Sequence, residues 1–291
     1  MNEHNDLEHE NSTEIAATSL QPMSFVDILD GIFSIYRSHF RLFLGIIVVY
    51  FVFGFVLDHI SVYALTRSAS IANIMVSVLI SIVSFLITLL VAAGLIYASA
   101  RVYLDKDITS QAALQHGWRR FLPLLGCTLL YYLGVGGLAI TILGIPFAIY
   151  FAFRWGLCSL PVLVEESTAR NGLRRSTELI KGTWWRVCGI MLAISVITFM
   201  IAFILQTSYV LLLSSLSGGT GTEDTTLWET LRRLYIPTPN DVGWAFYSIQ
   251  HLGTSIIAGL TMPIGSIGST LLYFDLRIRK EAFDIEMQVT D

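Results

Sequence analysis

The sequence predicts an all-α polytopic membrane bundle of about six transmembrane helices, built as three parallel repeats of one interfacial helix plus two spans. Three observations carry this. Hydrophobic residues make up 54% and charged residues only 14%, with a mean hydropathy of +0.65, whereas a soluble domain carries about 25% charged residues. Apolar runs recur that are long enough to cross a bilayer, which takes about 20 residues of helix. Between them recur aromatic–arginine junctions, Phe40-Arg41, Trp118-Arg119-Arg120 and Trp184-Trp185-Arg186, the pattern of a chain entering the membrane at the headgroup level.

The chain divides into an acidic tail, residues 1–21, and a membrane domain, residues 22–287, with repeats at about 22–107, 108–166 and 167–287. The formal net charge of −4 comes from the tail. Glu3, Asp6, Glu8, Glu10 and Glu14 stand there without a Lys or Arg, so the membrane body is close to neutral and the acidity points to no basic partner. With no aromatics and no apolar periodicity, the tail is expected to be disordered and cytoplasmic. It does not read as a signal peptide, so the first apolar run is expected to act as an uncleaved anchor.

From Ser24 to Phe40 the apolar residues Phe25, Ile28, Leu29, Ile32, Phe33 and Tyr36 repeat on one face of a 3.6-residue period. Ser24 with Asp27 predicts a capping box. The segment is too polar to span and is expected in the membrane interface. The first span runs from Leu42 to about Tyr63, with Asp58 and His59 near its outer end. The second lies within Ser68–Ala100, a stretch free of charged residues. Asn73, Ser77, Ser84 and Thr88 form a polar stripe along it, with Ser81 beside and Ala92 continuing the line. Small and hydroxylic residues of this kind let membrane helices approach closely. The alternative is the wall of a polar pathway. The seam is preferred, because the stripe carries no charge.

Arg101–Arg120 is a basic connector whose latter half predicts a short helix. The third span starts at Phe121 and is expected to turn near Gly134, Gly136 and Gly137. The fourth runs over Ile140–Val164, contains Pro146 and Pro161, and is interrupted by Arg154 and Trp155. Too few residues separate Arg120 from Arg154 for two full spans with both arginines outside the membrane. Arg154 is therefore either an interface anchor that snorkels or a paired intramembrane charge; the anchor is preferred. The connector Glu165–Ile190 is the most basic part of the chain, with Arg170, Arg174, Arg175, Lys181 and Arg186. The fifth span is Val187–Ser215. An outer loop follows, with a short helix predicted at Leu227–Tyr235 behind a Thr226/Glu229 capping box. The sixth span is about Trp244–Phe274.

Each helix pair ends in Y-x-x-x-R: Tyr97/Arg101, Tyr150/Arg154 and Tyr273/Arg277. Three such endings suggest internal duplication, with the copies related by an axis along the membrane normal. Of the 18 basic residues, all but Arg67, Arg232 and Arg233 fall on one predicted side, which places both termini in the cytoplasm. The expected interfacial anchors are Arg41, Trp118, Arg120, Trp184, Trp185, Arg186 and Arg277.

Three stretches, SFVDILDGIFSIYRSHFRLFLG, GIPFAIYFAFRWGLCSLPVLVEE with GLRRSTELIKGTWWRV, and LLYFDLRIRKEAFDIE, resemble the bacterial glycerophosphoryl diester phosphodiesterase membrane-domain family and related inner-membrane proteins. The resemblance covers most of residues 24–287 and implies a multi-pass protein of the bacterial inner (plasma) membrane. Where the family often has Ile-Pro-Gly, this chain has Ile145-Pro146-Phe147. The family name derives from members fused to a phosphodiesterase domain. Nothing of that domain is recognisable here, and its activity is not expected.

No reaction centre is expected either. No His-x-x-x-His, Cys-x-x-Cys, P-loop or Gly-x-Ser-x-Gly spacing occurs. Adjacent Glu165 and Glu166 would point apart on a helix and read as a solvated interface. Cys127, Cys158 and Cys188 read as buried hydrophobes. The expectation is an accessory, scaffold or lipid-interacting membrane protein without catalytic activity, cofactor or metal. Its partners would be the bilayer and anionic lipid headgroups at the cytoplasmic face, and not nucleic acid. A small-solute or lipid transporter using the bundle centre is the alternative, and a membrane-embedded enzyme stands third.

Overall fold

The computed structural model describes residues 22–68, 70–216, 228, 232 and 235–290. Among these there is no strand. The predicted tail and most of the predicted Leu227–Tyr235 helix, with its Thr226/Glu229 cap, lie outside the described residues. The helices are α1 (Phe25–Ser38), α2 (Phe40–Arg67), α3 (Ile71–Tyr103), α4 (Ser110–Arg119), α5 (Phe121–Ala139), α6 (Ile145–Trp155), α7 (Ser159–Val164), α8 (Ala169–Ile180), α9 (Trp184–Leu216), α10 (Pro239–Val242) and α11 (Trp244–Thr290). Six segments are long and apolar enough to cross a membrane: α2, α3, α5, Ile142–Val164, α9 and α11 to Glu281. The chain is a multi-pass membrane bundle.

Short helices precede the long ones, and each starts on a hydroxyl. Ser24, Thr109 and Thr168 cap α1, α4 and α8 by accepting from the N–H of Asp27, Ala112 and Asn171, which satisfies one of the orphan donors of each first turn. The capping box of α1 is complete, with Asp27 accepting from the Ser24 N–H at 2.7 Å. These bonds from Ser24 hold the Asp27 carboxyl below its ordinary value.

Two spans differ from expectation. The third does not turn at its glycines; α5 runs through Gly134, Gly136 and Gly137 to Ala139. In lipid an interrupted ladder of backbone hydrogen bonds costs more than glycine's poor propensity. The fourth is broken. A 3₁₀ turn at Ile142–Gly144 leads into α6 with Pro146 in its first turn, and a second break at Gly156–Cys158 separates α6 from α7. Pro161 has no N–H to donate to Leu157, and the Leu157 carbonyl accepts from Leu160 instead, at 3.1 Å. Gly156 has no room for a side chain, since a Cβ would stand 2.8 Å from Met191 Cε and 3.0 Å from the Ala152 carbonyl.

α2 packs along α3, and α9 along α11; α11 also touches α1, α2 and α3. The buried core is gathered at the end carrying α1, α4 and α8, called here the basic end. It holds Ile28 and Ile32, Phe43, Ile46 and Ile47, Val91 and Leu95, and Ile267, Leu271 and Leu272. Gly268 lets Ile32 and Ile194 close onto α11, where a Cβ would meet them at 2.9 and 2.8 Å. A second cluster joins Leu124, Cys127, Cys158, Val162 and Leu163. In the opposite halves of the long helices, Phe53, Met75, Leu79, Leu133 and Phe199 are exposed, an apolar surface that a bilayer covers. The amphipathic face of α1 divides in the same way, with Ile28 and Ile32 buried and Phe25 and Phe33 outward.

Candidate functional site

Arg154 closes the last turn of α6, where it donates to the hydroxyl of Tyr150 one turn earlier and lies over that ring, 5.4 Å from its centroid. Trp184, the first residue of α9, stacks on the same ring and donates its indole N–H to the Tyr150 carbonyl at 3.3 Å. From α8, Ser176 Oγ donates to the Arg154 carbonyl at 2.9 Å. Arg154 thus sits level with a headgroup-type tryptophan and a short surface helix, and its side-chain partner is a tyrosine. In the anchor reading, a guanidinium in this setting is expected to reach water by snorkelling. Arg154→Lys is expected to keep the folded yield, and Arg154→Leu to lower stability by about 1–2 kcal/mol through the lost cation–π and hydrogen-bond contacts. Fluorescence-detected gel filtration of both variants checks this; failure of the Lys variant would demand a bidentate partner.

The four residues of the polar stripe of α3 have different surroundings. Asn73 turns back to cap the helix start, donating to the Ser68 carbonyl and hydroxyl at 2.9 and 3.0 Å. Ser77 is buried and donates to the Ser61 carbonyl of α2 at 3.4 Å. Thr88 donates to the Ser84 carbonyl of its own helix at 2.9 Å. Ser84 differs: its Oγ is buried without a partner. Ser84 and Thr88 line a cavity of about 90 Å³ together with Tyr50, Gly54, Asp58 and Ser255. That volume holds a few waters at most. One turn further toward the basic end, Ile46, Ile47 and Val91 lie in the core.

Beside the cavity, α2 and α11 bring together groups that the sequence keeps nearly two hundred residues apart. His59 bonds the Phe55 carbonyl through Nδ1 at 2.9 Å and Ser248 Oγ through Nε2 at 3.1 Å. His251 places Nε2 3.6 Å from Asp58 Oδ2, and the two imidazole rings meet edge-on at 5.1 Å. A carbonyl cannot donate, so His59 Nδ1 carries the proton of its bond to Phe55. Among the described residues no group of three or more His, Cys, Asp or Glu is placed to hold a metal. The far half of the α9–α11 seam is closed by Tyr209, whose hydroxyl donates to the Ile249 carbonyl at 2.6 Å. Its ring fills the space where a Cβ on Gly253 would stand.

The densest polar cluster lies at the basic end. Asp275 is fully buried. It accepts from the Met23 N–H at 2.8 Å, from Arg186 at 3.0 Å and from Arg279 at 3.0 Å. Arg186 and Arg279 also donate to the Met23 carbonyl, at 2.7 and 2.9 Å. A neighbouring group joins Glu165, which accepts from the Tyr273 hydroxyl and from Arg175 Nε at 3.3 Å, to Glu281, which takes Arg175 Nη2 and Arg277 Nε, both at 2.8 Å. Arg120 pairs with the carboxylate of Glu166 and donates to its carbonyl at 3.1 Å. This clamp holds a residue whose φ of +55° lies in the left-handed region that side chains disfavour.

The predicted anchors therefore divide. Arg41, Trp118 and Trp185 are exposed. Trp184 packs on Tyr150. Arg120, Arg186 and Arg277 are bound into ion pairs that tie helices together. Glu165, expected to be solvated, is half-buried within such a network. The three Y-x-x-x-R endings do three different things. Tyr150 holds Arg154, Tyr273 donates to Glu165, and Tyr97 stacks on His116 at 3.7 Å. Cys127 and Cys158 are buried and Cys188 half-buried, all as free thiols. The fold and its polar clusters define an integral membrane protein. Comparison of the chain with protein-family models, curated proteins and solved structures finds no match.

Proposed function

We propose that the chain is a non-catalytic protein of the bacterial inner membrane, with both termini cytoplasmic. In this reading it is an accessory or scaffold component that engages anionic lipid headgroups through its basic end. The observation that carries this reading is where the polar side chains go. Along the intramembrane stripe Ser77 bonds α2 while Asn73 and Thr88 bond their own helix, and Arg41, Trp118, Arg119 and Trp185 stand exposed at one end, where cations and indoles meet headgroups. Affiliation with the glycerophosphoryl diester phosphodiesterase membrane-domain family belongs to the same proposal and is supported by the three stretches quoted above.

Thermal unfolding of delipidated protein tests the lipid reading. Phosphatidylglycerol is expected to raise the midpoint by several degrees over phosphatidylcholine, because a ligand of the folded state stabilises it; equal midpoints would overturn the reading. Single cysteines at Asn171 and Asn240, in a background without the native three, test the orientation. An impermeant thiol reagent on intact cells should reach only the latter, and the reverse pattern would invert the topology. One observation favours transport as the second reading: Ser84 Oγ is buried and unpartnered in a cavity that Asp58 also lines. Solute uptake into vesicles holding the purified protein would promote it.

A further inference from the structure

A pocket lies at the basic end, in the angle between the last turns of α3 and the helix α4. Its volume is about 680 Å³. Arg101 enters it from α3 and Arg119 from α4, with Thr109, Gln115 and His116 between them. Arg120, Arg186 and Arg277 at this end are bound to carboxylates. Arg101 and Arg119, in contrast, form no ion pair with any described residue, and Arg101 Nε is buried with no hydrogen-bond partner. Arg186 Nε is buried and unpartnered as well, but the Arg186 guanidinium is bound to Asp275, whereas Arg101 pairs with no described carboxylate. A half-buried cation without one is costly. One carboxylate, Asp107, also lines the pocket; it is exposed and pairs with neither arginine.

The remaining wall adds polar groups. α4 runs lengthwise along the pocket, from its cap Thr109 to its last residue Arg119. His116 stacks on Tyr97 and bonds the Leu163 carbonyl at 3.0 Å through Nε2. That bond fixes the proton on Nε2. Burial, and then the neighbouring Arg120, Arg119 and Arg101 charges, hold the ring below its ordinary pKa, so it is uncharged near neutral pH. Across α4 lies a second groove of about 530 Å³, lined by Gly45, Leu90, Leu114 and Trp118 and sharing Gln115 with the first. A polar pocket and an apolar groove thus flank one surface helix.

We infer that Arg101 and Arg119 form a binding site for a phosphate-bearing anion at the junction of α3 and α4. This deepens the lipid-engaging reading above and rests on it. Two arginines can take phosphate oxygens as forks, and the adjoining groove suits an acyl chain of a phospholipid whose phosphate is bound there. A free phosphate would use the same two side chains and leave the groove empty.

Isothermal titration of the purified full chain separates these cases, with dihexanoyl phosphatidic acid, inorganic phosphate and dihexanoyl phosphatidylcholine as probes. Phosphatidic acid is expected to bind, phosphatidylcholine not to, and Arg101→Gln and Arg119→Gln each to weaken phosphatidic acid by about tenfold or more, as loss of a charge-assisted hydrogen bond implies. Equal binding of inorganic phosphate, with the same dependence on both arginines, supports the site with a free anion as its occupant. If Arg101→Gln does not fold, the exposed Arg119→Gln carries the test. Absence of binding by either phosphate probe, or unchanged affinity in folded Arg119→Gln, overturns the site. The broader reading fails separately: stabilisation by phosphatidylglycerol that persists in Arg119→Gln retains the lipid-engaging face and removes only this site, whereas no stabilisation of the wild-type chain removes both.

Discussion

Asp275→Ala is expected to release the segment before α1 and to destabilise the bundle by about 3 kcal/mol. Removing one partner of a buried ion pair typically costs about 3–5 kcal/mol, because it strands the other charge. The lower figure applies here because Arg186 and Arg279 keep roughly a third of their side-chain surface and can turn toward water. The Met23 N–H loses its acceptor at the same time. Asp275→Asn, which keeps an acceptor oxygen of the same shape, should lose less. The measurement is the thermal midpoint in detergent together with protease cleavage near Met23. An unchanged midpoint for the Ala variant would mean that this cluster is not what ties the chain's two ends together.

The double change Ile28→Asp, Ile32→Asp should have a comparable or larger effect. Both side chains are almost fully buried, at 0% and 1% exposure. Each loses about 1.5–3 kcal/mol of apolar burial and sets an unpaired carboxylate against the core, where it can neither pair nor hydrate. α1 would leave the bundle while the spans remain inserted. Limited proteolysis should then remove residues 22–38 much faster than in the wild type, and an unchanged digestion rate would contradict the packing of α1 on α11. Phe25→Asp and Phe33→Asp, on the outward side, serve as controls with little effect on the fold.

How much of this was legible in the sequence depends on the range of the interaction. The spans were, because length and apolarity alone set them. So was the start of α1, where Ser24 and Asp27 complete a cap within four residues. The break in the fourth span was half-legible. Pro161 was in view, but the close approach of Gly156 to Met191 of another helix was not. The basic-end network was not legible. Asp275 stands among arginines and reads as a solvated charge, while its Met23 partner lies 252 residues away. His59 and His251 share no helix, and only the α2–α11 packing joins them. The Y-x-x-x-R endings mark a real spacing, yet only Tyr150 uses its own arginine; Tyr97 and Tyr273 are claimed by neighbours that the spacing cannot reveal. The pocket at Arg101 had one readable sign, two arginines bracketing a short capped helix. Whether each finds a carboxylate is decided by the fold.

The gathering of the core at the basic end has a mechanical consequence. There the helices are clamped by interlocking side chains and ion pairs, while their far halves meet mostly through a few hydroxyls and aromatic rings. Such a body is stiff in one leaflet and compliant in the other. Lateral tension on the bilayer would spread the free ends of α2, α3, α9 and α11 about a fixed base, as legs move about a common joint. Amide exchange follows the same gradient in this account, slowest around Ile46, Leu95 and Leu272 and faster toward Arg67, Ile71 and Trp244. Uniform protection along each span would show that the far halves are held as firmly as the base.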